Sequence, residues 1–132
     1  MVGERILVVE DNAMNMKLFR DVLTATGYRT LEATTGREAV ALAAEHAPDL
    51  VLMDVQLPDV DGLQALHHLR ANDRTAAIPV LAVTAQAMQG DRERFLAAGF
   101  DGYVSKPVNV RELLGTVGEH CMGPRMTGHA RS

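Results

Sequence analysis

Five times along the chain a short strand-like run is followed by a stretch of helical periodicity, and this alternation constrains the fold more than any other feature. Residues 5–9 (RILVV), 49–54 (DLVLMD) and 79–84 (PVLAVT) are dense in β-branched and apolar side chains, the pattern of strands buried on both faces. Residues 28–33 alternate in polarity, and 101–105 (DGYVS) complete the set. The spacing predicts a helix after Asn12, an N-cap residue, burying Leu18, Phe19, Val22 and Leu23 and stopping at Gly27. Thr35 caps a second helix over 37–46, which Pro48 ends. After the turn residues 58–62 (PDVDG), Leu63, Leu66 and Leu69 mark a third. A weaker helix over 88–98 ends at Gly99, and 110–121 closes the set with Val110, Leu113, Leu114 and Val117 on one face. Strands and helices in strict alternation imply a doubly wound α/β fold, a five-stranded parallel sheet with five helices and right-handed crossovers, and the order 2-1-3-4-5 follows. Residues 4–121 form the expected domain, and 122–132, without periodicity, a disordered or frayed tail.

At 132 residues there is room for one ordinary domain, long enough to hold itself together by its core. The lone Cys121 allows no internal disulfide and fits a reducing, cytoplasmic setting. No apolar run approaches the ~18–20 residues of a membrane span, and no signal peptide opens the chain. With 13 Lys+Arg against 17 Asp+Glu and only 4% aromatics, neither a basic face nor a stacking platform is available, so direct DNA binding is not expected. Glycine-rich nucleotide loops and a G-x-S-x-G elbow are both missing. His67 and His68 lie mid-helix with no partner at ligand spacing.

The order 2-1-3-4-5 opens a crevice at the carboxyl ends of strands 1 and 3. The residues ending the strands are Glu10 and Asp11, Asp54, Thr84, and Ser105-Lys106-Pro107. Each alone reads as a cap, a turn former or a solvated lysine. Together they put three mutually repelling carboxylates in one place, which calls for a cation. All-oxygen, partly solvated ligation favours Mg²⁺. Lys106 offers a positive point charge and Thr84 a hydroxyl donor to phosphoryl oxygens, a set suited to phosphoryl transfer onto an aspartate.

The strings ILVVEDN (6–12), LVLMDVQLPDVDG (50–62), PVLAVTA (79–85) and YVSKP (103–107) closely resemble the receiver domain of two-component response regulators. EDNAMNMKLF (10–19) and DVQLP (54–58) resemble stand-alone receivers of the DivK type in particular. The resemblance implies the flavodoxin-like receiver fold, Asp54 as phosphoacceptor, and Mg²⁺ held by Asp11 and Asp54 directly, by Gln56 through its backbone carbonyl and by Glu10 through water. It pairs Lys106 with Asp54 or its phosphate, assigns switch roles to Thr84 and Tyr103, and implies a cis bond between Lys106 and Pro107. Gln56 and Gln86 depart from the pattern of chemotaxis receivers, so the resemblance does not set the dephosphorylation rate.

The resulting expectation is a single-domain response regulator in a phosphorelay. Asp54 would take a phosphoryl group from a sensor histidine kinase or histidine phosphotransfer protein and switch a surface read by a downstream protein effector. It is not expected to be an enzyme in its own right. A dehalogenase-type phosphatase would need a second Asp two residues after Asp54 as general acid, and Gln56 stands there. A degenerate scaffold would not need so complete a set. The expected partner surfaces are Met14 and Lys17 on helix 1, facing the donor, and Met88 and Arg92 on helix 4, changed by the switch.

Overall fold

A computed structural model of the chain describes residues 4–55, 57, 62–85 and 91–127, with the backbone alone at 91, 92 and 121–127. The elements run β1 (Arg5–Val9), α1 (Ala13–Ala25), β2 (Arg29–Ala33), α2 (Gly36–His46), β3 (Leu50–Asp54), α3 (Gly62–Ala71), β4 (Val80–Thr84), α4 (Asp91–Ala98), β5 (Gly102–Ser105) and α5 (Val110–Thr127). All pairings are parallel, in the order β2-β1-β3-β4-β5. The fold class and strand order are those expected from the alternation.

Successive side chains of a strand point to opposite faces, so each central strand feeds two cores. Leu7, Val9, Val51, Met53, Val80 and Ala82 meet Ala39 and Ala43 of α2, Leu66 and Leu69 of α3, and Phe95 of α4. Ile6, Val8, Leu50, Leu52, Leu81 and Val83 meet Met16, Phe19 and Leu23 of α1 and Leu113 and Val117 of α5. This double burial explains why β3 and β4 read as unbroken apolar runs. Local signals start α1 and α2 where expected and stop α1 there too. Asn12 accepts the N–H groups of Met14 and Asn15, both at 3.0 Å, and Thr35 accepts that of Glu38 at 3.1 Å. Gly27, at φ 106°, ends the turn after α1 in the left-handed region.

Several expected faces need correcting. On α1 the deepest residues are Met16, Phe19 and Leu23, whereas Leu18 and Val22 are only half-buried. The buried stripe is rotated away from Leu18 because α1 packs over both β1 and β2, and periodicity alone does not set that angle. Leu63 at the start of α3 is exposed, and Ala65 joins Leu66 and Leu69 in the core instead. Val110, the first residue of α5, lies exposed at the rim before the helix turns under the sheet, and Leu114 is half-buried. Finally, α5 continues to Thr127 rather than ending at 121. Residues 128–132 of the expected tail lie outside the described residues, as do 88–90 of the expected fourth helix.

Candidate functional site

The sheet order reverses beside β1, so the loops leaving β1 and β3 part in opposite directions and open a crevice at the carboxyl edge. Glu10 and Asp11 follow β1 into it, Asp54 is the last residue of β3, and Thr84 is the last of β4. Lys106 arrives just after β5, and its backbone N–H donates to the Thr84 carbonyl at 2.8 Å. The peptide bond between Lys106 and Pro107 is cis.

Lys106 Nζ donates to Asp54 Oδ2 at 3.0 Å and lies 3.3 Å from Glu10 Oε1. Glu10 and Asp54 are almost sealed, at 1% and 4% exposure, while Asp11 opens to solvent. One oxygen from each of Glu10, Asp11 and Asp54 lies within 4.8 Å of the others. Burial, and then the charge of Asp54, raise the pKa of the Glu10 carboxyl, against the lowering influence of the Asn12 N–H and of Lys106. Burial presses the Lys106 ammonium down, but the hydrogen bond and charge of Asp54, followed by the charge of Glu10, more than offset it. The pKa of Lys106 is therefore raised, and it stays cationic beside the carboxylates.

One oxygen in the cluster is not provided for. Glu10 Oε2 accepts the Asn12 N–H at 3.2 Å, but Oε1 is buried with no hydrogen-bond donor, because the approach of Lys106 lacks hydrogen-bond geometry. An orphaned carboxylate oxygen, two further carboxylates and a solvent-open Asp11 fit a hard divalent cation that keeps part of its water, which is the description of Mg²⁺.

Gly62 presses on the same site from below. A Cβ there would stand 2.6 Å from Val55 Cα and 2.8 Å from the Asp54 carbonyl oxygen, and its N–H donates to the Val55 carbonyl at 3.0 Å. The start of α3 thus packs directly on the backbone that carries Asp54. The turn residues were legible in sequence, but this close approach was not.

The structure brings Glu10, Asp11, Asp54 and Lys106 together, with buried Thr84 at the crevice edge through its backbone bond to Lys106. Tyr103 is not in the crevice. It pairs with Ala82 in the β4–β5 ladder and rests half-buried against the core that contains Ala82, Phe95 and Phe100. Met14, in the first turn of α1, is 81% exposed, and Lys17 is paired with Asp21 at 2.7 Å. Gln56, Gln86 and Met88 lie outside the described residues, and only the backbone of Arg92 is within them. Sequence reasoning missed two features. Asn12 serves Glu10 as well as α1. Arg70 ties three segments together by donating to the carbonyls of Ala76, Ile78 and Gly99 and to Asp101 Oδ2 at 2.9 Å.

The family model for the response regulator receiver domain matches residues 6–118. The polar-differentiation response regulator DivK of Brucella anthropi is 50% identical over 112 residues, which are 85% of this chain and 91% of that protein. Its counterpart in Brucella abortus is 49% identical over the same shares. Among solved structures, the receiver domain of a sensor histidine kinase from Pseudomonas aeruginosa, with a magnesium ion coordinated in its active-site cleft, superposes with a TM-score of 0.83. It is 38% identical and covers 91% of this chain and 98% of its own. A chemotaxis protein of Vibrio cholerae gives a TM-score of 0.84 at 26% identity, covering 90% of this chain and 99% of its own.

Proposed function

Since the chain belongs to the response regulator receiver family of two-component signalling, we propose that it is a phosphorelay switch whose phosphoacceptor is Asp54. The observation that carries this reading is the contact of Lys106 Nζ with Asp54 Oδ2 at 3.0 Å inside a cluster of three carboxylates with one orphaned oxygen. A carboxylate oxygen of Asp54 attacks the phosphorus of a phosphohistidine. The new P–O bond forms as the P–N bond breaks, and the imidazole leaves with the electron pair and takes a proton from solvent. Lys106, held cationic, meets the negative charge of the phosphoryl oxygens, and the Thr84 hydroxyl donates to one of them. Glu10, Asp11, Asp54 and the Gln56 carbonyl are the proposed Mg²⁺ ligands. When bound there the ion neutralises charge on the transferring group.

The donor is a sensor histidine kinase or a histidine phosphotransfer protein, and exposed Met14 with Lys17 on α1 is the docking face beside the crevice. Phosphorylation adds close to two negative charges at Asp54. Thr84 then moves toward the phosphoryl group and Tyr103 follows into the space behind it, altering the α4–β5 surface, Met88 and Arg92 included, that an effector protein reads. Turning a 1:99 population into 99:1 takes about 5.5 kcal/mol of differential interaction, within reach of a few charge-assisted hydrogen bonds. No helix among the described residues is long and apolar enough to cross a membrane, and action in the cytoplasm is part of the same proposal.

Incubation with acetyl phosphate tests the chemistry. The chain should gain one phosphoryl mass only with Mg²⁺, and Asp54→Asn should gain none. Labelling that persists in Asp54→Asn, or that ignores Mg²⁺, overturns the assignment. Amide spectra with a phosphate mimic on Asp54 test the switch, which is wrong if Thr84 and Tyr103 stay put while Glu10 and Asp11 respond.

A further inference from the structure

The hydrogen bonds of Asn12 join the carboxylate cluster to the first turn of α1. Its side-chain Oδ1 accepts the N–H groups of Met14 and Asn15, both at 3.0 Å, and its carbonyl accepts that of Met16 at 2.9 Å. Its own N–H donates to Glu10 Oε2 at 3.2 Å. The cap holds Asn12 in extended backbone, at φ −89° and ψ 121°, and so sets the direction in which that N–H points.

The Glu10 carboxylate depends on this one donor. The Glu10 backbone is tied to the sheet, its N–H donating to the Ala33 carbonyl at 2.9 Å, but the side chain still turns about several bonds. Oε2 has the Asn12 N–H, and Oε1 has no hydrogen-bond donor among the described residues. At 1% exposure, Glu10 has little bulk water to hold it instead. Lys106 Nζ, 3.3 Å from Oε1, would draw an unbraced carboxylate toward itself. Groups that fix the orientation of a metal ligand set the affinity for the ion, because the donors must be placed before it arrives. Here the brace is also a helix cap, two positions before the exposed Met14.

We propose that Asn12 is a positioning residue for the Mg²⁺ site: its cap on α1 holds the N–H that holds Glu10, so the ion and the first turn of α1 stabilise each other. The inference rests on the phosphorelay reading for the cation alone and requires no phosphoryl group on Asp54. Coupling between two sites is reciprocal. Whatever orders the first turn of α1 tightens Mg²⁺, and Mg²⁺ orders the first turn.

The test titrates the full unphosphorylated chain, ¹⁵N-labelled, with Mg²⁺ alone at fixed ionic strength and reads the dissociation constant from amide shifts. Asn12→Ala removes the cap and should weaken Mg²⁺ about tenfold, the lower end of the loss expected when a group orienting a metal ligand is removed. Asn12→Ser is an equally good neutral cap and should restore the wild-type value. Thr35→Ala deletes the corresponding cap on α2, where the side chain accepts the Glu38 N–H at 3.1 Å. It should lower the melting temperature and leave Mg²⁺ affinity unchanged. In a Glu10→Ala background the step from Asn12 to Ala should have no further effect, since the group it positions is gone. Saturating Mg²⁺ should also slow hydrogen exchange at the Met14 and Asn15 amides of the wild type and not of Glu10→Ala. An unweakened Asn12→Ala, no rescue by serine, an equal loss in Thr35→Ala, or the full loss persisting without Glu10 would each overturn the proposal. So would exchange at Met14 and Asn15 that ignores Mg²⁺. A wild-type chain that binds no Mg²⁺ would overturn the cation of the phosphorelay reading as well, whereas a wild type that binds it no better than Asn12→Ala overturns this inference alone.

Discussion

Replacing Asp11 by asparagine should raise stability without Mg²⁺ and leave it nearly unchanged with Mg²⁺. The variant keeps the size and shape of the side chain and removes one of three negative charges whose oxygens lie within 4.8 Å of each other. At that separation two unit charges repel by ~3.5 kcal/mol in a medium of effective dielectric about 20 and by ~0.9 kcal/mol in water. Asp11 is exposed and Lys106 stands nearby, so the lower figure applies. Relief of about 1 kcal/mol should raise the melting temperature of a 132-residue chain in EDTA by roughly 4 °C. The metal cancels the difference. At a Mg²⁺ concentration ten times its dissociation constant, the wild-type chain gains ~1.4 kcal/mol, whereas a variant binding tenfold more weakly gains only ~0.4 kcal/mol. The two melting temperatures should therefore converge in Mg²⁺ after standing apart in EDTA. Differential scanning calorimetry at matched ionic strength measures both, since added salt alone screens an exposed charge. The reasoning is refuted if Asp11→Asn melts below the wild type in EDTA, or if its response to Mg²⁺ equals that of the wild type.

Gly62→Ala forces a Cβ to 2.6 Å from Val55 Cα, so the backbone under Asp54 must shift. It should cost about 1–3 kcal/mol in urea unfolding and slow labelling by acetyl phosphate, and an unchanged urea midpoint would show that the contact is soft. The Glu10 carboxyl titrates above its ordinary value of 4.5, so its contribution to stability is present in acid and is lost as pH rises through the folded-state value. In EDTA the wild type should therefore lose stability relative to Glu10→Gln as pH climbs above 4.5, and a pH-independent difference between them would contradict the assignment. Met14→Ala should slow phosphotransfer from a phosphorylated histidine donor and leave acetyl phosphate labelling untouched. Equal slowing of both would place the effect in the crevice rather than in docking.

Much of this molecule is written locally. The double-sided burial of β3 and β4 shows as unbroken apolar runs, the caps Asn12 and Thr35 stand where their helices begin, and right-handed crossovers leave little choice of strand order. Once the order is known, the strand ends name Glu10, Asp11, Asp54, Thr84 and Lys106, because strand ends converge whatever lies between them. What the sequence could not settle is the angle and the depth of each element. A 3.6-residue period gives the width of an apolar stripe but not its rotation about the helix axis, so Met16 displaces Leu18 in the core and Leu63 and Val110 face outward. The orphaned Glu10 Oε1, the contact of Gly62 with the Asp54 backbone and the Arg70 staple to Asp101 depend on distances between separate chain segments. The Arg70 staple spans 31 positions and the Lys106–Asp54 contact 52, with no local period to announce either. Only packing decides such contacts, because it selects which polar groups share a buried volume and which are left without a partner.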